Sequence, residues 1–163
     1  MRRTIFVNVL PVLVLSATLV AACGTKEDGG KAAVTTGSVA MGGICAVDAI
    51  NGAAAVAVNA VKKSINLTMG GWVADDRSGS VPSEVSIELV SADGKERVIG
   101  TASRGTKRPD VAKAFKTPAF EGAGFDGGVN IEKAAPGRYN ICIIQKSGDA
   151  SLSCDSKRIV DLL

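Results

Sequence analysis

The chain has 163 residues, with 19 lysines and arginines against 16 aspartates and glutamates, and no histidine. Lacking histidine, it lacks the commonest general base and metal ligand and every Ser-His or Cys-His catalytic pair, which argues against an enzyme. Setting aside Arg2 and Arg3 leaves 17 cations against 16 anions, a net charge of +1, which argues against a nucleic-acid partner.

The first 22 residues read as a signal peptide. Met1-Arg2-Arg3 is a positive start, and the stretch from Ile5 to Ala22 is almost wholly apolar and ends in small residues. Its 18 residues are borderline for a membrane span. Pro11 near its middle weakens that reading, at about 3 kcal/mol in a helix interior. The sequence Val20-Ala21-Ala22-Cys23 resembles the lipobox of bacterial lipoproteins. That resemblance implies a diacylglyceryl group on the Cys23 sulfur, cleavage just before Cys23 and an acylated new amino terminus. Two or more acyl chains anchor a protein stably, where one binds reversibly. Gly24 stands where an inner-membrane retention signal would place aspartate, so the resemblance implies the outer membrane of a host that has one. The expected partners are the membrane, through lipid, and an envelope protein or glycan.

Residues 23–43 read as the lipidated cysteine and a flexible tether rich in glycine, threonine, serine, alanine and charge, the alternative being that Val34 to Met41 adds an edge strand. Residues 44–163 form one domain. Its first apolar run, 44–50, is closed by Asn51-Gly52, a strong turn signal. In 55–61, Val56 and Val58 share a strand face, while the alanines permit a helix as the alternative. Residues 64–74 alternate, with Ile65, Leu67 and Met69 on one side, and Gly70-Gly71 predicts a bulge or close packing. Trp72, the sole tryptophan, is expected in the core. Asp75 to Gly79 is a turn whose acids lack calcium-loop spacing. Residues 84–90 give the clearest strand, with Val85, Ile87 and Leu89 inward and Glu84, Ser86 and Glu88 in water. Asp93-Gly94 turns the chain into a partner strand over 96–103.

Pro109 suits the first turn of a helix carrying Val111, Ala114 and Phe115 on one face, ended by Thr117-Pro118. Phe120 and Phe125 follow in a loop. This segment caps the sheet or, through Arg108, Asp110, Phe115, Phe120 and Phe125, serves as a binding loop. Short strands are predicted over 128–132 and 138–146, the latter with Tyr139, Ile141 and Ile143 on one face and Cys142 and Ile144 on the other. A turn at 147–150 leads to a last strand over 151–162. The pattern predicts an all-β fold: an antiparallel immunoglobulin-like β-sandwich of about seven strands with one short helix.

Several segments together resemble an immunoglobulin-like accessory domain of bacterial envelopes: Val47 to Gly52, Gly71 to Asp75, Arg108 to Phe115, Ala123-Gly124-Phe125 and Pro136 to Tyr139. The resemblance implies fold and compartment and carries no activity.

With Cys23 in lipid, three cysteines remain for one disulfide in an oxidising compartment. A two-residue turn at 148–149 sets Cys142 opposite Asp155, out of register with Cys154. The reading adopted is Cys45–Cys154, tying first strand to last, with Cys142 a buried thiol; Cys142–Cys154, helped by a bulge, is the alternative. No metal ligand set and no cofactor are expected. The functional reading is a non-catalytic binding or structural module held at the membrane. A glycan binder using Trp72, Tyr139 and the phenylalanines is the alternative. A hydrolase using Asp75, Asp76 or Asp126 needs two carboxylates facing across a cleft.

Overall fold

The computed structural model describes residues 39–163, so the leader, Cys23 and most of the tether lie outside the described residues. The described chain is all-β apart from one short helix and one 3-10 turn. Ten strands appear where about seven were expected. Two short edge pieces, β1 (Ala40–Met41) and β3 (Ala53–Ala54), were not expected, and the strand read over 55–61 is shortened to β4 (Val58–Val61). The longer strands are β2 (Ile44–Ile50), β5 (Asn66–Ala74), β6 (Glu84–Ser91), β7 (Arg97–Thr106), β8 (Gly124–Asn130), β9 (Gly137–Ser147) and β10 (Ala150–Leu162). Ala40–Met41 belongs to the sheet, so the expected tether ends before Gly43.

Hydrogen bonding runs β1-β10-β9-β6-β7-β8-β5-β2-β3, antiparallel except where β1 and β4 lie parallel to β10. The path folds over on itself, so strands far apart along it share one core. Val47, Leu67, Ile87, Phe125, Ile141 and Val160 all belong to that cluster and are essentially inaccessible. This layered arrangement is consistent with a β-sandwich. Each strand feeds the core by its two-residue alternation: Val85, Ile87 and Leu89 from β6, and Tyr139, Ile141 and Ile143 from β9. The β9–β10 register also follows expectation, Ser147 facing Ala150 and Cys142 facing Asp155.

Turn chemistry sets the connections. Asn51 and Gly52 both take positive φ, 49° and 76°, as a type I′ hairpin turn requires. The Tyr139 hydroxyl lies 2.6 Å from Glu96 Oε2 and 2.9 Å from the Ala135 carbonyl oxygen. A tyrosine bonding back to backbone four residues upstream is a tyrosine corner, a feature of β-sandwich bends.

Several expectations fail for identifiable reasons. Glu88 is buried, because β6 lies between β7 and β9 and Arg97 Nη1 closes over its carboxylate at 2.9 Å. In the 55–61 segment the buried positions are Asn59 and Val61, while Val56 and Val58 are exposed. Asn59 is tolerated inside because its amide bonds Val56 twice and the Ile159 carbonyl once. Ile65 precedes β5 and lies in solvent. Phe125 is not in a loop but on β8, in the main core.

Candidate functional site

Between β7 and β8 the chain leaves the sheet and returns. It forms helix α1 (Pro109–Phe115) and a 3-10 turn (Pro118–Gly122), with Pro at the first turn of each. The helix stops one residue before the expected Thr117-Pro118 break, where Lys116 takes the left-handed conformation, φ 52°. Two backbone bonds fix the excursion: Arg108 N–H donates to the Glu121 carbonyl at 2.7 Å, and Val73 N–H to the Ala123 carbonyl at 3.0 Å. The first closes the excursion on itself, and the second fastens it to β5.

Beneath the excursion lies a second apolar cluster on the outer face of β5. Ala74, Val111, Phe120 and Ala123 are buried there, with Ile44, Trp72, Val81 and Ala112 packed around them. Trp72 is therefore not in the main core. Val73 takes the inward position on β5, so Trp72 points outward and is half-buried under the helix. Its ring meets Phe115 at 5.5 Å with a 58° tilt, and Phe115 meets Phe120 edge-on at 5.9 Å. Phe115, the middle ring of the row, remains 44% exposed, with Phe120 buried on one side of it and Trp72 half-buried on the other.

Of the five residues expected in a binding loop, Phe120 and Phe125 are buried, in different clusters, and cannot meet a partner. Arg108, Asp110 and Phe115 stay on the excursion. Arg108 turns back toward the sheet: Nε and Nη2 grip Asp110 at 2.9 and 2.7 Å, and Nη1 reaches Asp48 on β2 at 2.6 Å. The bidentate guanidinium holds the exposed Asp110 carboxyl down at about 2. Asp48 was missed in the sequence because it sits in an otherwise apolar strand, beside a bulge between Val47 and Ala49. Asp48 is exposed at that bulge, so its polarity alone did not call for a cation.

The remaining candidates are scattered. Asp75 serves its own turn, accepting from Ser78 Oγ at 2.7 Å and from the Arg77 N–H at 3.0 Å, and these bonds lower its pKa, the Ser78 hydroxyl most. Asp126 lies on β8 and accepts from Thr106 Oγ1 at 2.8 Å. No group of three or more potential ligands converges on a metal site among the described residues. Tyr139 is buried in the core, which removes it from any glycan platform.

Cys45 and Cys154 form the expected disulfide across 109 residues. The expectation of a leftover thiol is corrected, because Cys142 is disulfide-bonded and no free cysteine is present among the described residues. Cys142 is fully buried on the face of β9 opposite Glu88 and Asp155.

A second exposed apolar feature lies at the other end of the sheet. There a concavity of about 450 Å³ is lined by Ile50, Ala53, Ala54, Val56, Val58 and Val61, among others. No protein-family model matches the chain, and neither a curated protein nor a solved structure matches it.

Proposed function

We propose that the protein is a lipid-anchored, non-catalytic binding or structural module of the bacterial cell envelope, at the outer membrane of a host that has one. The observation that carries this reading is Val20-Ala21-Ala22-Cys23 at the end of a basic-then-apolar leader. The domain is consistent with it. Its acids Asp75 and Asp126 are engaged in separate local hydrogen bonds and not paired across a cleft. Among the described residues, exposed Phe115 on the excursion and the Val56–Val58 concavity are apolar surfaces on which a partner can seat.

The test is chemical. Intact mass and peptide mapping of the mature protein should find Cys23 as the first residue, carrying diacylglyceryl and an amide-linked acyl chain. Cys23→Ser should leave the precursor uncut or release the protein from membranes. With Cys45 joined to Cys154, Cys23 is the one cysteine of the chain left to bond Cys142. A sulfur bearing a thioether cannot enter a disulfide, so the anchor reading requires that bond to be absent from the mature protein; a peptide joining Cys23 to Cys142 would refute it. A mature-sized Cys23→Ser protein that still fractionates with membranes would refute it equally.

A further inference from the structure

Strand directions place the helical excursion at one end of the sheet. Thr106 and Gly124, where it leaves and rejoins, pair with each other, and Gly124 pairs with Trp72 near the end of β5. Ile44, the first residue of β2, pairs with Ala74 at that same end. β1 enters there too, pairing with Leu152–Ser153 near the start of β10. Ile44 packs directly into the cluster beneath Trp72. Ile44 lies five positions after Val39, so whatever precedes the described chain joins it at most about 18 Å from that residue.

Charge is concentrated at this end as well. Residues 104–116 hold five cations, Arg104, Lys107, Arg108, Lys113 and Lys116, against Asp110 alone, a net +4. The chain without Arg2 and Arg3 carries +1, so everything else sums to −3. Arg108 is spent on Asp48 and Asp110, and Lys107 lies 3.6 Å from Glu121. Lys113 and Lys116 are exposed and make no ion pair among the described residues. Between and beside them stand the exposed apolar residues Ala114, Phe115, Pro118 and Ala119.

We infer that the corner between α1 and the 3-10 turn rests on an anionic lipid surface. Phe115 enters the headgroup layer, Trp72 stands behind it, and Lys113 and Lys116 meet lipid phosphates. The chemistry is that of an interfacial site: an aromatic ring at headgroup level with lysines beside it. The observation that selects lipid over a protein partner is position. The corner lies at the end where the chain from the proposed anchor arrives, and a tethered surface needs little intrinsic affinity because its effective concentration is high. The inference rests on the anchor reading for its setting, but the corner's own chemistry is testable without the anchor.

Trp72 is the only tryptophan and sits beneath the corner, so its emission reports contact directly. The full lipidated protein is reconstituted in neutral phosphatidylcholine vesicles and in vesicles with 30% phosphatidylglycerol, each with brominated acyl chains. Cys23→Ser protein is added to the same vesicles from outside. The expected result is Trp72 quenching in the anionic vesicles, reversed by salt, for the lipidated form, and a weaker partition of the same salt dependence for Cys23→Ser. Lys113→Ala with Lys116→Ala should lower that partition about 25-fold, at about five-fold per lysine. Phe115→Ser should abolish quenching. The lysine variant alters only exposed side chains, so it stays informative should Phe115→Ser loosen the helix. Quenching that is absent, or equal in neutral and anionic vesicles, would overturn the inference while leaving the anchor intact. A shift of Trp72 emission by soluble cell-wall glycan fragments, with none by vesicles, would overturn it in favour of the glycan reading.

Discussion

The Cys45–Cys154 bond joins strands near the two ends of the hydrogen-bonded path, and the fold should lean on it heavily. Replacing both cysteines with alanine removes a closure across 109 residues. In the chain-entropy account the denatured state then gains about 16 cal/mol/K, or about 4.8 kcal/mol at 25 °C. A domain of 125 described residues has a total stability of roughly 6–19 kcal/mol, so the loss is between a quarter and most of it. Urea unfolding followed by circular dichroism measures it. With a slope of about 2 kcal/mol/M the midpoint should fall by about 2.4 M. The slope itself should rise, because a denatured chain freed of its crosslink exposes more surface. Both cysteines must go together, since a single remaining thiol can exchange with another disulfide. A loss under about 1 kcal/mol with an unchanged slope would refute the reasoning. It would mean that the pairing of β10 with β4 and the shared core hold the seam without the crosslink.

Burial and the Glu96 carboxylate push the Tyr139 phenol up to about 12. Because the folded pKa lies above the unfolded one near 10, the contribution of the neutral phenol is complete below pH 10 and is lost as pH rises through 12. As Tyr139 is the only tyrosine, phenolate absorbance should report one late step near 12 in native protein and near 10 in urea; a native step near 10 would contradict the buried bond. At Gly71 an added Cβ would overlap the Ala46 carbonyl oxygen, a backbone atom that cannot step aside. Gly71→Ala should therefore cost more than about 3 kcal/mol by urea unfolding. A cost under 1 kcal/mol would show that β2 and β5 can spread at the bulge.

The legible parts of this fold were those whose side chains alternate. β6 and β9 announced both their existence and their facing, since Val85, Ile87, Leu89 and Tyr139, Ile141, Ile143 recur every second residue. Their hairpin partners followed from turn residues. β8 was cut short because Gly124, Gly127 and Gly128 have no side chain to carry a period. Yet two of those glycines are why the strand fits: a Cβ at Gly124 or Gly127 would overlap backbone oxygens of β7. Trp72 misled because hydrophobicity says that a residue wants cover without saying from which side. Its cover comes from a helix 37 residues further on, a non-local fact that no window around Trp72 contains. The site was legible in its ingredients, Arg108 and Phe115, and not in its assembly, which needed Asp48 and Trp72 from other strands.

The position of these pieces also says where force enters the molecule. Anything that holds the chain before Val39 pulls first on β1, whose two residues are paired to Leu152–Ser153. Gly42 N–H bonds the Ser153 carbonyl at 3.0 Å, and three residues later Cys45 is covalently joined to Cys154. The load thus passes within five residues from an edge piece into β10, the longest strand, which is bonded along most of its length to β9. A pull at Ala40 cannot peel β2 away from the sheet without first breaking a disulfide. The same few residues carry Ile44 into the Trp72 cluster, so the α1 corner is fixed to the end of the domain at which the chain before Val39 arrives. On the proposed anchor reading that keeps the corner near its point of attachment, whereas a corner beside the Val56–Val58 concavity would stand at the far end of the sheet.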